Sequence, residues 1–171
     1  MQIKILIVDD DLKIVTMLSK TFTTMLEGYL VLTATSANAG MGMLKEERPD
    51  VVILDVRLGP ESGMDLLQDF NHYVASQHGR HRPRFIVITA YPDENVRKEA
   101  LEKYKVDAFL MKPLNPLEMR SKVIESIKKI LETELKNLSA YVSEPENKRQ
   151  ERKEVVEKKI TEGPRRNEEG S

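Results

Sequence analysis

Five short aliphatic runs alternate with segments of helical periodicity, and this alternation constrains the fold more than any other feature of the chain. The runs are Ile3–Val8, Tyr29–Ala34, Asp50–Asp55, Phe85–Ala90 and Val106–Met111. Nearly continuous apolar strands of this length suit burial on both faces. Separated by helices, they predict a parallel sheet with helices on both sides, joined by right-handed crossovers into an open, doubly wound α/β fold. Between the first two runs, Leu12, Ile14, Val15, Leu18, Phe22, Met25 and Leu26 recur at helical spacing until Gly28 stops the pattern. Ser36 is placed to cap a helix to about Glu47, and a third helix is expected over about Met64–Val74. Asp93 caps a fourth to about Tyr104, and Asn115-Pro116 opens the last. The stretch "GPESG" at Gly59–Gly63 reads as a loop.

Polar residues close four of the five strands. Asp9 and Asp10 follow the first, Asp55 ends the third, Thr89 falls at the end of the fourth and Lys112 just past the fifth. Doubly wound sheets bind ligands outside the carboxyl ends of their strands, where the strand order reverses, so these residues point to one shared pocket. The run "DDD" at Asp9–Asp11 is costly there, because a charge removed from water without a partner costs several kcal/mol or more. Clustered carboxylates with an open side make a hard, oxygen-rich site suited to Mg²⁺, which keeps several waters and takes only one or two carboxylates from protein. Its charge and that of Lys112 would offset a formal charge of about −3 from Asp9, Asp10 and Asp55. Asp55, alone at its strand end, is the acid best placed for in-line attack on phosphorus, forming an aspartyl phosphate.

The motifs "ILIVDDD", "VVILDVRLGPESGMDLL", "VITA" and "FLMKP", in this order and with these gaps, resemble the receiver domain of two-component response regulators. The resemblance covers about residues 1–138. It implies a flavodoxin-like receiver fold, a five-stranded parallel sheet of order 2-1-3-4-5 flanked by five helices. It implies a phosphorylation-dependent signalling switch in which Asp55 accepts a phosphoryl group from a histidine kinase or phosphotransfer protein. Asp9, Asp10, Asp55 and the backbone carbonyl of Arg57 would hold the Mg²⁺, Lys112 would contact the phosphoryl group, and Asp11 would begin the first helix. Pro113 would follow a cis bond. Thr89 would swing onto the phosphate and Phe109, the family's aromatic switch position, would turn inward. The face made by the fourth helix, fifth strand and fifth helix would then change to control a downstream partner or a removed output domain. Such a protein catalyses only its own phosphorylation and dephosphorylation, so it is not expected to be an enzyme in the usual sense.

The chain departs from the family pattern in three places. Four residues after Asp55, where proline is common, stands Gly59, with Pro60 next. Arg57 and Tyr91, two places after Asp55 and Thr89, are bulky at the pocket rim and are expected to hinder the hydrolytic water. The stretch "ASQHGRHRPR" before the fourth strand is long and basic, and reads as a solvated loop over Arg80–Arg84. His72, His78 and His81 have no helical metal spacing and read as surface residues. "GMGML" at Gly40–Leu44 lacks the third glycine of a dinucleotide fingerprint, and reads as a helix packed closely on the sheet.

Two other functions compete. Asp9 and Asp11 form an Asp-x-Asp pair similar to that of haloacid-dehalogenase-like phosphatases, with Asp9 as nucleophile. That reading leaves Asp55 idle and puts Lys13 where threonine is favoured. A receiver fold that only binds partners and is never phosphorylated is the third; the complete acid, threonine and lysine set speaks against it.

The last predicted helix, Pro116–Leu138, is about 34 Å long at 1.5 Å per residue. Leu117, Ile124, Leu131 and Leu138 recur every seven residues on it. Either it covers the sheet throughout or its far end pairs with a second copy; the face of the fourth helix, fifth strand and fifth helix is the other route to a homodimer. Residues 139–171 hold 8 Lys/Arg and 8 Glu against six apolar residues, too few to fold alone, and are expected to be a charged tail with a transient helix over Arg149–Ile160. A net charge of −1 argues against direct nucleic-acid binding. There is no cysteine, which excludes disulfides and thiolate chemistry, and no apolar run approaches a membrane span. A cytoplasmic location is expected.

Overall fold

The aliphatic runs become the five strands of one parallel sheet: β1 (Ile3–Val8), β2 (Tyr29–Ala34), β3 (Val51–Asp55), β6 (Arg84–Thr89) and β7 (Ala108–Met111). Their order is β2-β1-β3-β6-β7, the 2-1-3-4-5 order expected. This is a computed structural model, and it describes residues 2–25, 28–76, 82–91 and 93–146, with positions 148, 150, 153 and 154. His78, Arg80, His81 and most of the expected tail helix lie outside the described residues.

Strand side chains alternate between faces, so each strand feeds two cores. Ile3, Ile5 and Ile7 pack with Val15, Leu18 and Phe22 of α1 (Leu12–Met25) and with Met119, Val123 and Ile127 of α5 (Pro116–Ser143). Leu6 and Val8 face the other way, onto Leu44 of α2 (Ala37–Glu46) and Leu66, Leu67 and Phe70 of α3 (Gly63–Ser76). At about 1.5–3 kcal/mol for each fully buried aliphatic side chain, these two layers are what fixes the strand register. Gly40, in the "GMGML" stretch, lies so close to the sheet that a Cβ there would come within 3.0 Å of Val8, as a helix packed tightly on strands requires.

The caps form as their residues predict. Ser36 Oγ accepts from Ala39 N–H at 3.2 Å, Asp93 Oδ1 from Asn95 N–H at 2.8 Å, and Asn115 Oδ1 from Leu117 N–H at 2.9 Å. Each satisfies a first-turn amide that the helix itself cannot.

Three expectations are corrected. The Gly59–Gly63 loop is a hairpin, β4 (Arg57–Leu58) against β5 (Glu61–Ser62), turning at Gly59 with φ +63°. The fourth helix is two segments, α4 (Glu94–Lys98) and a π-helical turn over Glu99–Lys103. Its end folds back, Val106 N–H donating to Ala100 O at 3.1 Å, which withholds Val106 from the strand and starts β7 at Ala108. Arg82 and Arg84 are half-buried and paired rather than free in solvent. Arg82 donates to the carbonyls of Tyr104 and Lys105 and to Asn71 Oδ1, closing the end of the π turn, and burial holds its guanidinium below its ordinary value against the charge of Asp107. Arg84 pairs with Asp107 at 3.3 Å. His72 is exposed, as expected.

Helix α5 continues to Ser143, five residues past the expected end. Packing divides the chain within it, residues 1–130 forming one unit and residues 131–171 another. In the first unit α5 buries Met119, Val123, Ser126, Ile127 and Ile130; beyond it Leu131, Leu135 and Leu138 are exposed. Among the described residues no helix is long and apolar enough to cross a membrane.

Candidate functional site: an acid cluster at the switch point of the sheet

The chain leaves β1 for β2 on one side and reaches β3 on the other, so the reversal of strand order falls between the carboxyl ends of β1 and β3. Asp9 follows the first and Asp55 ends the second. Their carboxylates and that of Asp10 each offer an oxygen within 4.8 Å of the others. Asp9 and Asp55 are buried while Asp10 is exposed, so the cluster has a closed floor and one open side. Asp11 is turned away: its Oδ1 accepts from Lys13 N–H at 2.8 Å and begins α1.

Lys112, just past β7, reaches across this crevice. Its Nζ lies 2.6 Å from Asp55 Oδ2 and 2.8 Å from Asp9 Oδ2. The peptide between Lys112 and Pro113 is cis. Lys112 N–H donates to Thr89 O at 2.7 Å, which ties the lysine's backbone to the end of β6. Desolvation works against the ammonium, but the hydrogen bonds to Asp55 and Asp9 outweigh it and raise its pKa. Burial is the largest influence on Asp9 and raises its carboxyl above the usual range, with the charge of Asp55 acting in the same sense. Lys112 and the Asp11 amide oppose this.

The remaining polar groups are held by short local bonds. Asp9 Oδ1 accepts from Asp11 N–H at 2.9 Å and Asp55 Oδ1 from Arg57 N–H at 3.2 Å. Asp9 Oδ2 has the ammonium near it but no aligned hydrogen bond. A buried acceptor in that state, among hard oxygen donors and with a raised proton affinity, is what a divalent cation satisfies. The donor set therefore fits Mg²⁺. Thr89 is buried, its hydroxyl donating to Tyr91 O and accepting from Tyr91 N–H, both at 3.1 Å. Tyr91 is exposed, and the Arg57 guanidinium stacks 4.1 Å above its ring, so the two bulky rim residues meet across the mouth of the site. Phe109 lies further off, half-buried in a groove of about 260 Å³ with Asp93, Glu94, Arg97 and Met111.

Gly63 escaped the sequence reading. A Cβ there would lie 1.8 Å from Asp55 O, so the start of α3 presses directly on the end of β3, and no side chain fits. Its N–H donates to Val56 O at 2.9 Å. The available signal was its place in "GPESG", closing a short stretch that also begins with glycine. Glu61 escaped too. Its Oε2 accepts from Ala37 N–H at 2.7 Å, a contact between positions 24 apart that local sequence does not announce.

A phosphatase led by Asp9 does not fit this arrangement. Asp11, which would be its general acid, is exposed and spends its Oδ1 on the Lys13 amide outside the site.

Known proteins give the same grouping. The family model described as the response regulator receiver domain matches residues 5–124. The alginate biosynthesis transcriptional regulatory protein AlgB of Pseudomonas aeruginosa is 32% identical over 119 residues, 68% of this chain and 24% of that protein. The transcriptional regulatory protein KdpE of Staphylococcus aureus is 33% identical over 131 residues, 75% of this chain and 52% of that protein. This chain thus spans about half or less of the length of these curated relatives. Among solved structures, a CheY-like response regulator receiver domain protein from Methanospirillum hungatei superimposes with a TM-score of 0.66 at 26% identity, covering 75% of this chain and 96% of that one. The signal receiver domain of a Luxo repressor protein from Vibrio parahaemolyticus shares the fold, with a TM-score of 0.68 at 20% identity over 79% of this chain and 97% of that one. The sheet order agrees with these likenesses, the family model spans well over half of the chain, and the chain belongs to the response regulator receiver domain family.

Proposed function

We propose that this receiver accepts a phosphoryl group on Asp55 from the phosphohistidine of a histidine kinase or phosphotransfer protein. The observation that carries the reading is the position of Lys112 Nζ, within 2.8 Å of carboxylates at the carboxyl ends of two different strands. In the transfer an Asp55 carboxylate oxygen forms a bond to phosphorus, the phosphorus–nitrogen bond breaks, and its electron pair returns to the imidazole. Asp9, Asp10, Asp55 and the Arg57 carbonyl would hold Mg²⁺, which supplies positive charge to the oxygens of the transferring group. Lys112 neutralises one of those oxygens from the floor of the site.

The switch follows from Thr89. Its hydroxyl is now spent on the Tyr91 backbone. To donate to the phosphoryl group it must leave Tyr91 O, and the β6–α4 loop must readjust. Phe109, with a groove beside it, has room to turn inward as this happens. The phosphate biases states already accessible to the α4–β7–α5 face, which then acts on a downstream protein or an output domain. The exposed Leu131, Leu135 and Leu138 at the far end of α5, or the α4–β7–α5 face, would serve a homodimer. The protein would work in the cytoplasm and leave nucleic acid to its partners.

Acetyl phosphate with Mg²⁺ tests the central step. Intact-mass analysis should show one added phosphoryl group, lost in Asp55→Asn and mapped by peptide analysis to Asp55. Label on Asp9 would revive the phosphatase reading, and no label from any acyl-phosphate donor would favour a receiver fold that only binds partners.

A further inference from the structure

We propose that Glu61, an exposed carboxylate outside the acid cluster, is a positioning residue for the cation site, holding the β4–β5 hairpin and Arg57 with it. The inference rests on the Mg²⁺-assisted phosphoryl transfer proposed above. The hairpin has only two residue pairs, Arg57 with Ser62 and Leu58 with Glu61. A ribbon that short is not stable unaided. Its root is anchored by Leu58, buried in the core, and by the bond from Gly63 N–H to Val56 O. Its tip needs a separate hold. Gly59, at the turn, lies beside Asp10, where a Cβ would make an ordinary contact of 3.6 Å with Asp10 Oδ2.

Glu61 supplies that hold. Ala37 is the first residue of α2, and first-turn amides have no partner within their helix. Ser36 Oγ takes the Ala39 amide, and Glu61 Oε2 takes that of Ala37 at 2.7 Å. The carboxylate also meets the positive end of the helix dipole. Fixing Glu61 fixes the opposing strand, and so the Arg57 carbonyl and the Arg57 stack on Tyr91. Asp9, Asp55 and Lys112 are set by the sheet and do not depend on it. Loosening the hairpin should therefore weaken cation binding while leaving the transfer step intact once the cation saturates.

Two variants of the full chain remove the bond from opposite sides. Glu61→Ala removes the acceptor. Ala37→Pro removes the donor at a position where proline suits a helix, after a Ser36 whose φ −151° and ψ 159° accommodate a following proline. Calorimetric Mg²⁺ titration should show about fivefold weaker binding in each. The double variant should be no weaker than either, since both abolish one contact. In metal-free protein, hydrogen exchange at the Ala37 amide should accelerate in Glu61→Ala. The phosphorylation rate from acetyl phosphate at saturating Mg²⁺ should match wild type. Unchanged Mg²⁺ affinity alongside faster Ala37 exchange would reduce Glu61 to a helix cap and overturn the proposal, as would additive losses in the double variant. A wild-type chain that binds no Mg²⁺ would instead bring down the parent reading, and this one with it.

Discussion

Lys112→Met replaces an ammonium by a methyl-ended chain of similar length, and tests whether one cation keeps the crevice folded. At an effective dielectric of about 20, each of the contacts at 2.6 and 2.8 Å represents about 6 kcal/mol of gross attraction. The two buried carboxylates, no more than 4.8 Å apart at their nearest ligand atoms, repel by at least about 3 kcal/mol on the same scale. Desolvation of the three groups consumes most of the difference, and removing one partner of such a buried set costs about 3–5 kcal/mol. Lys112→Met should therefore lose about 3 kcal/mol to urea unfolding at pH 7 in the absence of metal. The loss should also depend on pH. Lys112 has a raised pKa, so its own contribution is complete below its ordinary value of 10.5 and constant across an acidic to neutral assay. Asp9 is the group that titrates. With a folded pKa above its ordinary 3.8, it makes the folded chain the better proton binder in the window between the two, so its protonation stabilises as pH falls. Deleting Lys112 removes influences that hold Asp9 down and extends that window upward, so the deficit should shrink on acidification. Mg²⁺ should stabilise the variant more than wild type, because the cation no longer meets a neighbouring ammonium. Equal stability of variant and wild type at pH 7 without metal, or a deficit indifferent to pH, would refute this account of the charges.

Other perturbations reach different parts of the site. If the stacked Arg57 and Tyr91 obstruct the hydrolytic water, Arg57→Ala and Tyr91→Ala should each speed loss of the phosphoryl group, followed by intact mass after acetyl phosphate is removed; unchanged lifetimes would dispose of the idea. Gly63→Ala drives a Cβ into the backbone carbonyl of Asp55, and should cost about 3 kcal/mol in urea unfolding and slow phosphorylation of whatever protein remains folded. Leu135→Asp should abolish any concentration-dependent dimer seen by light scattering if the far end of α5 is the seam, and leave it intact if the α4–β7–α5 face is used.

What the sequence disclosed, and what it withheld, divide along a physical line. The parallel strands announced themselves because burial on both faces forces continuous apolar runs. The caps at Ser36, Asp93 and Asn115 did so because the acceptor is two or three residues from its donor. Asp9, Asp55, Thr89 and Lys112 were legible for a related reason: a doubly wound sheet gathers all strand ends to one edge, so position along the chain implies position in space. Contacts set by tertiary packing were not. Arg82 looked like solvated charge until the carbonyls at the end of the π turn lay beside it, and Asp107 gave no hint that it would gather Arg84 and the Phe85 amide. The π turn buries Ala100 in the core, a placement that no local periodicity encodes. The hairpin was missed because each strand has two residues, fewer than alternation needs to show.

The balance of charge explains why the switch should act through Thr89 in particular. Three carboxylates and one ammonium leave a formal charge of about −2, which a divalent cation cancels. Phosphorylation, as proposed, would replace the single charge of Asp55 with a phosphoryl dianion, and the crevice would become negative again by about one unit. Lys112 and the cation are already committed, and the Asp11 amide is occupied by Asp9. A donor that could change allegiance is the Thr89 hydroxyl, whose bond to Tyr91 O is a neutral one at 3.1 Å. A bond to a charged oxygen is about twice as strong as a neutral pair, so the exchange is downhill once the phosphate is present and uphill before it arrives. Because that same hydroxyl also accepts the Tyr91 amide, and Tyr91 carries the stack with Arg57, one change of partner loosens the rim on both sides of the site. In the proposed switch, a local gain in one hydrogen bond would thereby reach the β6–α4 loop, which leads to Asp93 and Glu94 in the groove beside Phe109.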